Sequence, residues 1–313
     1  MKSVSVIIAA YNEENNITNC LESIFKLDYD KAFLEVIVVD NNSTDRTIEL
    51  AQQFPVRVLQ EFKIGPSHAR NKGITEAKNE IIVFIDADVI VPQNWLKNLI
   101  IPFSDSKVGA VGGKILPLKE NWITGFLGHS ILGKYPRSNY KRYEKSYITC
   151  NLAIRKELLE KGFDTDLKKY TEDLDITMRI VDQGFKIQYE PTASLYHKHP
   201  DTIIQLFQYW VNSVKGRIYF CNKYPAQKTC ILMKYQVPIL YLLFLIFLTF
   251  LFGKWTLLLL LPVVLYLYKL AIIEYKSDKR FILNFIIVPI LNVTNIFCAS
   301  LMHGYYKHIR KIG

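Results

Sequence analysis

Four short, unbroken apolar runs constrain this chain most: Val4–Ala10, then residues 36–39, 56–59 and 81–85. Each has the length of one strand. An unbroken run, unlike an alternating one, belongs to a strand covered on both faces. Between the runs lie stretches with helical apolar spacing, such as Ile17, Leu21, Ile24 and Phe25. Strands alternating with helices predict an α/β fold with a doubly wound, mostly parallel sheet. In such sheets ligands sit beyond the carboxyl ends of the strands. Three runs end there in polar residues: Tyr11-Asn12-Glu13-Glu14, Asp40-Asn41-Asn42-Ser43 and Asp86-Ala87-Asp88.

The middle of the chain is less regular. Gly109, Gly112 and Gly113 read as a strand and turn. Residues 120–147 are rich in aromatic and basic side chains, with Pro136, and read as a mobile loop or surface helix. Thr171 suits the N-cap of a helix reaching Gln183, acids fill its first turn, and Gly184 closes it. Residues 185–189 return as a strand.

From Gln236 onward the composition becomes largely aliphatic and aromatic. The stretches 237–252, 255–273 and 281–302 read as two to three membrane segments. The first holds about 13 Leu, Ile, Phe or Val residues, and at about −0.3 to −0.6 kcal/mol each its insertion is favourable by several kcal/mol. Gly253-Lys254 allows only a tight turn, so the first two form a hairpin. Lys276, Lys279 and Arg280 then return to the cytosol by the positive-inside rule. The third stretch contains Asn284, Asn292, Asn295 and Pro289 and reads as spanning, re-entrant or interfacial. Before them, Ile203, Leu206, Phe207, Trp210, Val211, Val214 and Ile218 fall at helical spacing, as an amphipathic helix on the membrane or one packed on the preceding domain. The expected domains are a cytosolic catalytic domain (1–200), an interfacial helix and linker (201–235), the hydrophobic segments (236–302) and a basic tail (303–313). The formal net charge of +10 suits an acidic partner, here an anionic membrane surface or a phosphorylated substrate. No motif for reading nucleic acid is present. Met1-Lys2-Ser3-Val4 shows no signal-peptide pattern, so the expected location is a multi-pass membrane protein whose catalytic domain faces the cytosol.

Chemistry concentrates at Asp86-Ala87-Asp88. Residues i and i+2 of an extended segment project to the same side, and two carboxylates there repel unless a cation joins them. Mg²⁺ or Mn²⁺ takes such oxygen ligands and shares them with a diphosphate. Glu172-Asp173 opens a helix whose N-terminus favours negative charge, which suits a general base taking a proton from a hydroxyl. Cys20, Cys150, Cys221, Cys230 and Cys298 show no CxxC pair and no metal-ligand spacing, and read as isolated reduced thiols.

In order along the chain, Ala10-Tyr11-Asn12-Glu13-Glu14, Val38-Val39-Asp40-Asn41-Asn42-Ser43-Thr44-Asp45, Ala69-Arg70-Asn71-Lys72-Gly73, Asp86-Ala87-Asp88 and Glu172-Asp173 resemble glycosyltransferase family 2. These are inverting enzymes with the A-type glycosyltransferase fold, and the resemblance covers about residues 3–220. It implies that the backbone near Ala9 and Tyr11, with Glu13 and Asp40, receives the nucleoside of a nucleoside diphosphate sugar. Arg70 would lie near the base or phosphates, with Glu172 also on the donor side. Asp88 would ligate the metal, Asp86 would approach ribose or metal, and Asp173 would be the base. Asp40-Asn41 replaces a frequent Asp-Asp pair and leaves the base preference open. A histidine after the last strand often completes the metal site. His197 is favoured for it, with His199, or no histidine, as alternatives.

Processive members carry Q-x-x-R-W, whereas this chain reads Gln205-Leu206-Phe207-Gln208-Tyr209-Trp210, without the arginine. The expected function is therefore one inverting sugar transfer to a lipid-linked or membrane-proximal glycan acceptor. Lys134, Arg137, Lys141, Arg142 and Lys145 could receive a lipid phosphate or form a solvated loop. Arg217 could meet the diphosphate or a headgroup. A nucleotidyltransferase, or a non-catalytic nucleotide-binding membrane protein, are the rival readings, and a homo-oligomer is compatible with all three.

Overall fold

The computed structural model describes residues 2–124, 139–167, 171–202, 204–206, 208, 209, 212, 216, 220, 223 and 224. The hydrophobic stretches beyond residue 236, the basic tail, Lys134, Arg137 and Arg217 lie outside these. Two compact units divide the chain: residues 1–119 with 135–199, and residues 120–134 with 200–313.

The first unit contains one sheet, of nine strands among the described residues. The four apolar runs form β1 (Val4–Ala10), β2 (Leu34–Asp40), β3 (Arg57–Gln60) and β4 (Ile81–Asp86). They pair in parallel in the order β3-β2-β1-β4. β1 and β4 are buried along almost their whole length, which requires cover on both faces. The helix α1 (Ile17–Phe25), the short α2 (Thr47–Ala51) and α3 (Pro66–Glu76) follow β1, β2 and β3 in turn, and α3 packs on β1 and β2.

Beyond β4 the sheet is mixed, which corrects the expectation of a mostly parallel one. The short β5 (Val89–Ile90) and the helix α4 (Trp95–Ile100) lead into β6 (Val108–Pro117). Then come β7 (Arg142–Glu144), β8 (Asn151–Arg155), the helix α5 (Glu172–Asp182) and β9 (Lys186–His197). β8 runs antiparallel between β4 and β6, β6 and β9 are parallel, and β5 and β7 pair antiparallel with β9. The antiparallel entry of β8 leaves no periodicity signature, because β8 is buried over Asn151–Ile154 much as β1 and β4 are.

Local expectations change accordingly. The glycines at 109, 112 and 113 lie inside β6, with no turn. A Cβ on Gly112 would sit 2.4 Å from the Tyr147 ring, and one on Gly113 2.1 Å from the Ala193 carbonyl. Close approach between elements demands glycine here. Residues 142–144, expected in a mobile loop or surface helix, form β7 instead. Arg142 lies over the Tyr189 ring at 5.0 Å and pairs with Glu144, while Lys141 pairs with the buried Glu190 at 2.8 Å. Thr171 precedes α5, but its side chain makes no capping bond; Glu172 accepts the Thr171 N–H instead. Gly184 closes the helix at φ +88°.

Trp95 holds the mixed half together. Fully buried, it donates Nε1–H to Asn151 Oδ1 at 2.9 Å, and Asn151 Nδ2 donates to the carbonyls of Lys114 and Ala193. One amide thereby ties α4, β6, β8 and β9. In the second unit, Asn121 Oδ1 accepts the N–H groups of Ile123 and Thr124, and its Nδ2 donates to the Asp201 carbonyl. Among the described positions that follow, Leu206, Tyr209 and Phe220 are buried within the protein and Ile204 is exposed.

Candidate active site

The site begins where β1, β2 and β4 end. Register places Ala9 beside Asp86 and Ala10 beside Asp40. Both following loops turn sharply through asparagines in the left-handed region, Asn12 at φ 55° and Asn42 at φ 66°, a conformation asparagine tolerates better than most residues. The two loops then join: Asn12 N–H donates to Ser43 Oγ, and Asn12 Oδ1 accepts the Thr44 N–H at 2.8 Å. Glu13 is fixed from the same side, its N–H donating to Thr47 Oγ1 and its carboxylate accepting from Asn16. Tyr11 is exposed.

Asp40 is buried. One carboxylate oxygen accepts the Ser43 N–H, and Oδ1 has no hydrogen-bond donor among the described residues. Asn41 explains its own departure from the Asp-Asp pattern. Its Nδ2 donates to the carbonyls of Glu61 and Lys63, and its Oδ1 accepts the Gly65 N–H. An aspartate would have no hydrogens for those two carbonyls.

Asp86 and Asp88 flank a tight turn from β4 into β5. Val89 of β5 pairs with His197, the last residue of β9, and this brings the imidazole to the acids. His197 Nε2 lies 3.5 Å from Asp86 Oδ2 and 3.4 Å from Asp88 Oδ1. The His199 ring stacks at a tilt, 5.2 Å behind that of His197. Burial opposes the charge on His197, but Asp88 and Asp86 together raise its pKa. Burial, and secondarily Asp86, push Asp88 up against the pull of His197. Burial likewise raises Glu13, with Asp88 and Asp86 adding to it against the Asn16 hydrogen bond. Asp88 Oδ1 has no hydrogen-bond donor among the described residues. Two carboxylates and an imidazole around one point, one oxygen undonated, form a donor set that fits a divalent cation.

Arg70, on α3, is buried. Its guanidinium donates to Glu172 Oε1 at 3.0 Å and reaches Asp86 Oδ1 at 3.4 Å, 5.6 Å from the Phe163 ring centre. Burial opposes its charge, but Glu172 and Asp86 hold the guanidinium protonated more firmly than usual. Arg70 thus links the end of β4 to the first turn of α5. Asp173, beside Glu172, is 7% exposed, with Oδ1 accepting the Leu174 N–H at 2.8 Å. Glu13, Arg70, Asp86, Asp88, Glu172 and His197 thus come together, with Asp173 beside Glu172. Asp40, the last residue of β2, and Asn41 after it stand across β1 from the end of β4.

Sequence reasoning missed two residues here. Cys150, just before β8, lies with its sulfur, an Asp86 oxygen and a His197 nitrogen all within 4.8 Å of one another. Burial pushes its thiol pKa well up, and the charges of Asp86, Asp88 and Asp173 push it further. Cys20 on α1 sends its thiol to the Asp86 carbonyl at 3.8 Å. The adjacency of β8 to β4 is what brings Cys150 in, and no cysteine spacing encodes it.

Comparison with known proteins agrees with this geometry. The profile of glycosyl transferase family 2 matches residues 5–163. The chain is 28% identical over 270 residues to the probable glycosyltransferase YdaM of Bacillus subtilis, covering 81% of this chain and 64% of that protein. It is 38% identical over 200 residues to glycosyltransferase AglE of Haloferax volcanii, covering 59% of this chain and again 64% of the relative. The chain thus spans somewhat less than two thirds of either. The structure resembles a mannosyltransferase from Pyrobaculum calidifontis solved in complex with GDP-Man and Mn²⁺. The TM-score is 0.53 and the identity 26%, with coverage of 69% of this chain and 64% of the other. The matched span takes in β1 to β8 and the acid-bearing ends of β1, β2 and β4, and the chain belongs to glycosyltransferase family 2.

Proposed function

We propose that this chain is a metal-dependent, inverting glycosyltransferase that moves one sugar from a nucleoside diphosphate sugar to a lipid-linked or membrane-proximal acceptor. The observation that carries it is the convergence of Asp86, Asp88 and His197, with the Glu172-Asp173 turn reached through Arg70. The mannosyltransferase of similar fold was solved with a nucleoside diphosphate sugar and Mn²⁺, which supports the same donor class here.

Asp88, Asp86 and His197 would hold Mn²⁺ or Mg²⁺, and the ion would neutralise charge developing on the departing diphosphate. The protein's own groups do the rest. Ala9 and Tyr11 offer backbone, and Glu13 and the undonated Asp40 oxygen offer acceptors, to the nucleoside. Arg70 holds Glu172 and with it the start of α5. The acceptor hydroxyl attacks the anomeric carbon, the bond from that carbon to the diphosphate breaks, and Asp173 takes the hydroxyl proton. Inversion follows from a single displacement. The hydrophobic segments of residues 236–302 would keep this reaction at a cytosolic membrane face.

The test is donor turnover by the full chain with Mn²⁺ or Mg²⁺, followed as nucleoside diphosphate released. Asp88→Ala is expected to lower turnover by at least about 10²-fold, the scale of one lost charge-stabilising group. Full activity of Asp88→Ala under added metal would remove the metal assignment. Release of pyrophosphate would instead identify a nucleotidyltransferase.

A further inference from the structure

The Cys150 thiol has no part in the reaction just described, yet it lies inside the same cluster. β8 is antiparallel to β4 with Asn151 against Ile85, so the residue before β8 faces the residue that ends β4. That pairing brings Cys150 near Asp86, and the pairing of β9 with β5 brings His197 to the same acid. Three ligand-type atoms, from the ends of β4 and β9 and the residue before β8, mutually within 4.8 Å, are more than a stray buried sulfur. Tetrahedral zinc, with a bond of about 2.3 Å to sulfur and about 2.0–2.1 Å to nitrogen or oxygen, holds its ligand atoms about 3.5 Å apart. The closure needed is about an ångström, within the reach of side-chain rotation.

The chemistry of the set differs from that of the carboxylates alone. Mg²⁺ and Mn²⁺ prefer oxygen donors, whereas thiolate with imidazole favours zinc-class ions. We propose that Cys150, Asp86 and His197 form a site for a thiophilic divalent cation, overlapping the hard-cation position at Asp88, so that the two kinds of ion exclude one another. As the metal–sulfur bond forms, the S–H bond breaks and its proton passes to solvent. No electron transfer is involved. The exclusion rests on the proposed function in one respect, the placement of the activating ion at Asp88. Cys20 supplies the internal control, since its thiol faces the Asp86 main-chain carbonyl.

Cd²⁺ titration of the full chain, read by thiolate-to-metal charge-transfer absorption, tests the site without reference to activity. Part of the band is expected to vanish in Cys150→Ser, to remain in Cys20→Ser and to bleach under excess Mn²⁺. Affinity for Cd²⁺ should fall by about tenfold or more in Cys150→Ser, at least the loss expected from a disturbed supporting group. An undiminished band in Cys150→Ser, or one indifferent to Mn²⁺ that binds, overturns the proposal. If near-ultraviolet circular dichroism shows that Cys150→Ser is unfolded, Cys150→Ala replaces it. The Mn²⁺ competition in the unmutated chain needs no variant. Electron paramagnetic resonance of Mn²⁺ on the same samples separates the two readings. Mn²⁺ binding with no Cys150-dependent band removes the thiol site and leaves the hard-ion site standing. The converse removes the hard-ion placement and the exclusion, and leaves the thiol site.

Discussion

Asp173 and Asn41 show how much one side chain can decide. Asp173 stands at the start of α5 with an oxygen on the Leu174 N–H, and asparagine can keep that acceptor while losing the ability to take a proton. Asp173→Asn is therefore expected to reduce kcat by about 10²–10⁴-fold with a hydroxyl acceptor, and far less with a polyprenyl phosphate, whose oxygen is already anionic. Steady-state rates on the two acceptor classes check this, and equal losses on both would remove the base role. Asn41 was legible as a departure from a pattern, but not as the knot that holds the Glu61 and Lys63 carbonyls. Which hydrogens a side chain must supply depends on groups far along the chain.

At the scale of elements, the parallel half of the sheet was readable because its strands are short apolar runs and helices follow β1, β2 and β3. Its edge rests on charge. Arg57 of β3 pairs with Glu35 of β2 at 2.8 Å and with Glu76 of α3 at 2.9 Å. Burial would raise the Glu35 pKa, but the Ser5 hydroxyl, the Lys78 N–H and Arg57 outweigh it and hold it below its usual 4.5. A lowered folded pKa contributes stability that is complete above the unfolded value and is lost as pH falls through the folded one. The Tm should therefore drop below about pH 4.5, and Glu35→Gln should flatten that part of the curve. In the mixed half, Asn151 satisfies Trp95 and two carbonyls at once. Asn151→Leu strands all three, and denaturant unfolding should show a loss of about 2–5 kcal/mol. Neither strand order nor this amide's role shows in periodicity, since β6 and β8 are buried along most of their length as β1 and β4 are.

For the whole molecule, the stretches from 237 onward bear on where the chemistry happens. Among the described residues no helix is long and apolar enough to cross a membrane, and the expected segments lie beyond them. Their composition alone carries the membrane proposal. The full chain is expected to sediment with membranes through carbonate washing, and a chain ending at residue 235 to leave that fraction. Retention of the shortened chain under high salt would place the anchor before residue 235.

The sequence by itself determined the four strands β1 to β4 and the acids that end β2 and β4. Local apolar patterning specifies a buried strand, and the residue after it must emerge at the sheet's carboxyl edge. Only the tertiary structure decided that His197 meets Asp86 and Asp88, that Arg70 faces inward to Glu172, and that Cys150 stands among them. Those meetings depend on β8 entering antiparallel beside β4 and on β9 returning beside β5. They are long-range pairings, specified by how the sheet closes rather than by any spacing along the chain.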